Sequence, residues 1–138
     1  MGFDVFGIRP RSEAGQYFRN NIWWWRRLWD FCVHVTPEFT EDDANQGHWN
    51  NGHVIEGEKH ASLVRNLEKA LQDKGRYQAW IADSEQRYLR NSQAVRLRIR
   101  GSKATEYPDF NTCNHPFAWA NVEEFLEFLK ANAGFQIC

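Results

Sequence analysis

The sequence has no apolar run approaching the roughly 18–20 residues that a membrane-spanning helix needs, so no such span is expected. Neither sign of charge is in surplus. Seventeen Lys and Arg stand against 18 Asp and Glu, a formal net charge of −1. Domains held to nucleic acid chiefly through phosphates usually carry a clear basic excess, and a mimic of DNA would carry an acidic one, so neither is expected. Cysteine is scarce and odd in number: Cys32, Cys113 and Cys138 show no framework spacing. Free thiols in a reducing, cytoplasmic compartment fit that count. The opening Met1-Gly-Phe-Asp-Val5 lacks the basic and apolar regions of a secretory signal, and Phe3 to Phe6 reads as a strand rather than a lipidation site. Internal repeats, linkers and recognised catalytic or cofactor motifs are also missing, so no cofactor is expected.

What is present is aromatic area. Aromatic residues make up 15% of the 138, with 25% charged, which is the composition of one globular domain rather than a disordered chain. Four of the seven tryptophans fall between Tyr17 and Cys32. Read as a helix over Ile22 to Val35, that stretch puts Ile22, Trp25, Trp29 and Cys32 on one side, with Trp24, Leu28, Phe31 and Val35 beside them. Apolar residues on that much of the circumference predict a helix buried on several sides. Asn20 or Asn21 can cap it. A narrow polar stripe remains: Trp23, Arg27, Asp30 and His34, with Arg26 alongside. Arg26 and Asp30 stand four apart, and Arg27 and Asp30 three apart, so local ion pairs are available. The stripe has two readings. One is a solvated seam in which Asp30 neutralises an arginine. The other is a polar binding site floored by tryptophan, its arginine meeting an anion or a partner.

The ends of the chain resemble a known group. Met1-Gly-Phe-Asp-Val-Phe-Gly-Ile-Arg-Pro10, followed by Tyr17-Phe-Arg-Asn-Asn-Ile-Trp-Trp-Trp-Arg-Arg-Leu-Trp29, is similar to the start of a group of small bacterial and phage proteins. Asn121-Val-Glu-Glu-Phe-Leu-Glu-Phe-Leu129 and Gly134-Phe-Gln-Ile137 are similar to their end. The resemblance covers both ends rather than the middle. It implies a phage or mobile-element origin, and it carries no activity to any residue.

In chain order, Phe3 to Ile8 reads as a strand ended by Arg9-Pro10. Glu38 to Gly57 reads as a polar loop of about 20 residues, long for a compact domain, with a turn at Asn51-Gly52. Glu58 to Lys74 is an amphipathic helix, its face lined by His60, Leu63, Val64, Leu67, Ala70 and Leu71, and Gly75 sits where a left-handed cap belongs. Tyr77 to Arg90 reads as a further helix. Val95-Arg-Leu-Arg-Ile-Arg100 alternates strictly and predicts a half-buried strand, although so short a stretch can also extend the helix before it. Asn121 with Glu124 resembles a capping box opening a last helix. Phe135 to Ile137 reads as a closing edge strand.

Three constellations can carry chemistry. Asp42, Asp43, His48 and His53, with His60 beyond, offer metal-type ligands. His48 and His53 have four residues between them in an expected loop, which matches no metalloenzyme signature. His60, on an apolar face, reads as a core histidine. Cys32-Val-His34 and Cys113-Asn-His115 look like zinc half-sites. Residues two apart on a helix point about 200° apart, leaving only a mixed site of Cys32, Cys113 and His115; Cys32 itself reads as buried filler. Arg96, Arg98 and Arg100, with Lys103, form a basic row that suits either a phosphate backbone or protection of a sheet edge.

These readings predict an α+β fold: three or four helices on a small, mostly antiparallel sheet, with the tryptophan helix central. The expected function is a non-enzymatic, cytoplasmic interaction protein that binds a partner protein or a small anionic ligand. Its site would be Arg19, Asn20, Trp23, Arg26, Arg27, Asp30 and His34, with the 38–57 loop beside it. The alternatives are a metal-dependent hydrolase using His48, His53 and Asp43, and nucleic-acid binding through Arg96 to Arg100.

Overall fold

A computed structural model describes residues 2–98 and 117–138, with the backbone alone over 91–98. Among these residues four strands form one antiparallel sheet: β1 (Gly2–Ile8), β2 (Tyr17–Asn21), β3 (His53–Glu56) and β4 (Gly134–Ile137), in the order β2-β1-β4-β3. Five α-helices complete the α+β fold: α1 (Ile22–Val35), α2 (Glu41–Gln46), α3 (Glu58–Gln72), α4 (Gln78–Arg98) and α5 (Trp119–Lys130).

Helix α1 follows the period of its apolar residues and starts where the amide cap allows. The Asn21 side chain accepts the Trp24 N–H at 2.9 Å, using one of the otherwise free donors of the first turn. Both flanks of α1 are buried, as so wide an apolar surface requires. Trp25 stacks between Phe3 and Trp29, with centroids 5.7 Å away on each side, and meets the edge of Phe125. On its other flank Phe31 is ringed by Tyr77, Trp80, Phe117 and Trp119. Each buried indole finds a carbonyl, as its N–H must when it leaves water: Trp25 donates to Gly47 O at 2.7 Å and Trp29 to Ala44 O at 3.1 Å. Those bonds hold α2 against α1.

Four expectations need correction. The Glu38 to Gly57 stretch is not a loop, because it contains α2 and β3. Thr40 and Asp43 form a reciprocal capping box that starts α2, although that helix has no apolar period to announce it. Residues 95–98 are helical rather than strand and continue α4, residues 99 and 100 lie outside the described residues, and β3 is the remaining strand of the sheet among the described residues. Six alternating residues are too few to break a helix already running from Gln78. Strand β4 is central rather than an edge, since β1 and β3 flank it and Phe135 and Ile137 are fully buried. Finally, two helix ends differ. Helix α3 ends at Gln72, and Gly75 lies in a 3₁₀ turn (Lys74–Tyr77) with no left-handed backbone. Helix α5 starts at Trp119, so its cap is Ala118, whose methyl side chain can accept no hydrogen bond, and Asn121 lies within the first turn with its amide bonded to Asn20.

Candidate functional site

The expected stripe does not assemble into one site. Strand alternation turns Arg19 and Asn20 to opposite faces of β2. Arg19 lies on the outer face, 3.6 Å from Asp4, whereas Asn20 exchanges amide hydrogen bonds with Asn121 at 2.8 and 3.0 Å. Arg27 is buried, at 4% exposure, with its guanidinium over the Tyr88 ring at 4.2 Å. Asp30 is met from outside its own helix. Tyr88 of α4 donates its hydroxyl to Oδ2 at 2.5 Å, and His48 Nε2 stands 2.7 Å from Oδ1. Burial, with the neighbouring Asp30 charge, pushes the Tyr88 phenol well above its ordinary range. His34 is exposed and lies flat on Trp80 at 4.7 Å; burial against the ring and the Arg87 charge push its pKa down. Trp23 and Arg26 are half-buried. Chemically, this polar seam is a tie between α1, the segment after α2, and α4.

A second carboxylate organises the other end of α2. Buried Asp43 holds His53 Nε2 at 2.9 Å and Lys59 Nζ at 2.7 Å, and accepts the Thr40 N–H at 2.9 Å. Desolvation is the largest single influence on Asp43 and raises its pKa. The bonds from Lys59, Thr40 and His53 together outweigh it, and the carboxyl falls to about 2. His48 and His53 are therefore committed to different carboxylates, Asp30 and Asp43, rather than to one ion. Asp42 is exposed. Among the described residues no group of three or more His, Cys, Asp or Glu could hold a metal. His60 is the core residue its position suggested: its Nε2–H is shared between Leu129 O and Asn132 O, both at 3.0 Å, closing the end of α5. Cys32 is fully buried, and burial pushes its thiol far up, away from nucleophilic use. Of the remaining expectations, Arg100, Lys103, Cys113 and His115 lie outside the described residues, as do the side chains of Arg96 and Arg98.

The feature that sequence reasoning missed is the outer face of the sheet. Phe3, Val5, Phe18, Ile55, Phe135 and Ile137 turn inward to the helices. The alternate set therefore faces solvent: Tyr17 of β2, opposite it Phe6 of β1, then Gln136 of β4 and Val54 of β3 in one row across four strands. Tyr17, Phe6 and Val54 remain 47%, 45% and 41% exposed. Phe6 and Tyr17 lie 5.4 Å apart, and the Tyr17 hydroxyl donates to Asp4, whose carboxylate also faces Arg19. The signal was available: if Phe3 and Val5 point inward, Phe6 must point out.

Nor does any helix among the described residues have the length and apolarity to cross a membrane. Comparison with known protein families, with curated proteins and with solved structures finds no match for this chain.

Proposed function

We propose that this chain is a non-enzymatic, cytoplasmic binding protein that docks a partner protein on the outer face of its sheet. The observation that carries the reading is the row of Tyr17, Phe6 and Val54 spread over three strands and left open to solvent. The solvent face of an antiparallel sheet is ordinarily polar, and exposed apolar groups gathered in one place mark interaction sites. Tyrosine, phenylalanine and arginine are enriched in interface centres, and Arg19 stands beside the row. Pairing between Phe6 and Tyr17 adds a few tenths of a kcal/mol to about 1 kcal/mol to the sheet, and Val54 extends the row to the far edge. Core residue Cys32 is a free thiol, in keeping with a reducing compartment.

The test is comparative cross-linking in a bacterial lysate, the source that the resemblance of the two ends suggests. Wild-type protein is set beside a Phe6→Ser/Tyr17→Ser/Val54→Ser variant whose fold is matched by circular dichroism. The expected result is a protein held by the wild type and lost from the variant. Equal retention by both, or none by either, overturns the reading.

A further inference from the structure

Away from the sheet, the C-terminal end of α1 and the α3–3₁₀ corner enclose a cleft of about 590 Å³. That is within the range of small-molecule sites, about 300–1,000 Å³. Part of the lining is apolar. Val35, Pro37 and Tyr77 supply it, and the Tyr77 ring is set by edge contacts with Phe31 at 5.3 Å and with His34 and Trp119. The polar part of the lining includes Lys69 of α3 and Arg76 of the 3₁₀ turn. The side-chain N–H of Asn66, donated to Val35 O at 2.7 Å, ties α3 to the end of α1. Lys74, one residue past the cleft's Asp73, is neutralised by Glu123 at 3.8 Å. Lys69 and Arg76 have no such carboxylate within ion-pair distance among the described residues, and Asp73 is the one acid on the lining.

We infer that this cleft binds a small planar aromatic molecule bearing one anionic group. The ring lies on Tyr77 and Pro37, and the carboxylate or phosphate sits between Lys69 and Arg76. Charge-assisted bonds from a guanidinium and an ammonium suit either anion. A single anionic group fits better than several, because the lining sets two cations, Lys69 and Arg76, against one carboxylate, Asp73. This site is separate from the sheet face and does not depend on it.

The experiment is an amide-resonance titration of the whole chain with phenyl phosphate, and in parallel with inorganic phosphate. Phenyl phosphate should shift Asn66, Lys69, Gln72, Arg76 and Tyr77 in a saturable manner at about millimolar concentration. A Lys69→Gln/Arg76→Gln variant, with both changes on exposed residues, should weaken binding by about tenfold or more. The sheet-face triple variant should bind as the wild type does, which separates failure of this site from failure of the docking reading. Absence of saturable shifts, equal binding by the Lys69→Gln/Arg76→Gln variant, or inorganic phosphate binding as tightly as phenyl phosphate each overturns the inference. The last of these would mean an adventitious ion only.

Discussion

Asp43 shows how much one side chain can be asked to do. It caps α2 by accepting the Thr40 N–H, and it holds β3 through His53 and the first turn of α3 through Lys59. Replacing it with Asn removes the charge while keeping the shape, so His53 and Lys59 lose their counter-charge; a cost of about 2–3 kcal/mol is expected. The pH dependence follows from the direction of the shift. Asp43 titrates at about 2 in the folded chain against an ordinary 3.8, so the unfolded chain binds its proton first on acidification. Its contribution is whole above pH about 4 and fades as the pH falls toward about 2. Urea unfolding of the Asp43→Asn variant and wild type between pH 5 and 2 should therefore show the two stabilities converging at the acid end. Parallel curves would show that Asp43 is not the group responsible. At this scale the sequence was partly legible. Asp43 and His53 could be singled out as chemical groups, and the capping signal Thr40-x-x-Asp43 was there to read. Local spacing, which can be counted, pairs Asp30 with Arg26 or Arg27, whereas its partners His48 and Tyr88 come from other elements and leave no mark in the spacing.

At the scale of the element, legibility tracks length and period. Helix α1 was readable to the residue, since fourteen positions of apolar periodicity and an Asn cap agree. Helix α2 was hidden: Glu41-Asp-Asp-Ala-Asn-Gln46 is polar but for Ala44 and only six residues long. What holds it is tertiary, namely the two indole N–H bonds and a close approach at Gly47. A Cβ on Gly47 would lie 2.0 Å from the Trp29 indole, in a core where neither can yield. Gly47→Ala should therefore cost about 2–3 kcal/mol, lowering the melting temperature by roughly 5–10 °C. Gly75 provides the contrast. As a left-handed cap it would resist substitution, but it has ordinary backbone and nothing within 4 Å of an added Cβ. Gly75→Ala should leave the melting temperature essentially unchanged, and a drop like that of Gly47→Ala would contradict the 3₁₀ assignment. Strand β3 escaped notice for a related reason. His53-Val-Ile-Glu56 contains a single inward apolar residue, Ile55, too little alternation to register until its pairing with β4 is seen.

For the molecule as a whole, the class of fold was legible and the wiring was not. Hydrophobic pattern implied helices on a small antiparallel sheet with the tryptophan helix in the middle, and that is what forms. Pattern cannot say which strands are neighbours, because pairing is decided by what the helices leave uncovered. Placing β4 between β1 and β3 buries Phe135 beside Trp29 and Phe125. The same placement leaves Phe6, Tyr17 and Val54 on the uncovered side, so the proposed docking face is a product of topology rather than of any one motif.

That strand order also bears on how the protein is made. The middle of the sheet joins β1, which is translated before every other described element, to β4, which follows them all. Until β4 emerges, β1 has only β2 beside it, and the edge of β3 that β4 will cover stands open. Stable closure must then await synthesis of β4, and a slow, non-local pairing of this kind exposes unpaired strand edges to aggregation in the interval. Nascent chains arrested with Gly134–Ile137 still inside the exit tunnel should be cut readily by protease, while chains arrested after the strand has cleared it should resist. Resistance in both would mean that the helices lock the core without their central strand. The four residues of β4, then, decide whether the described elements translated before them close into a folded domain or remain a target for chaperones.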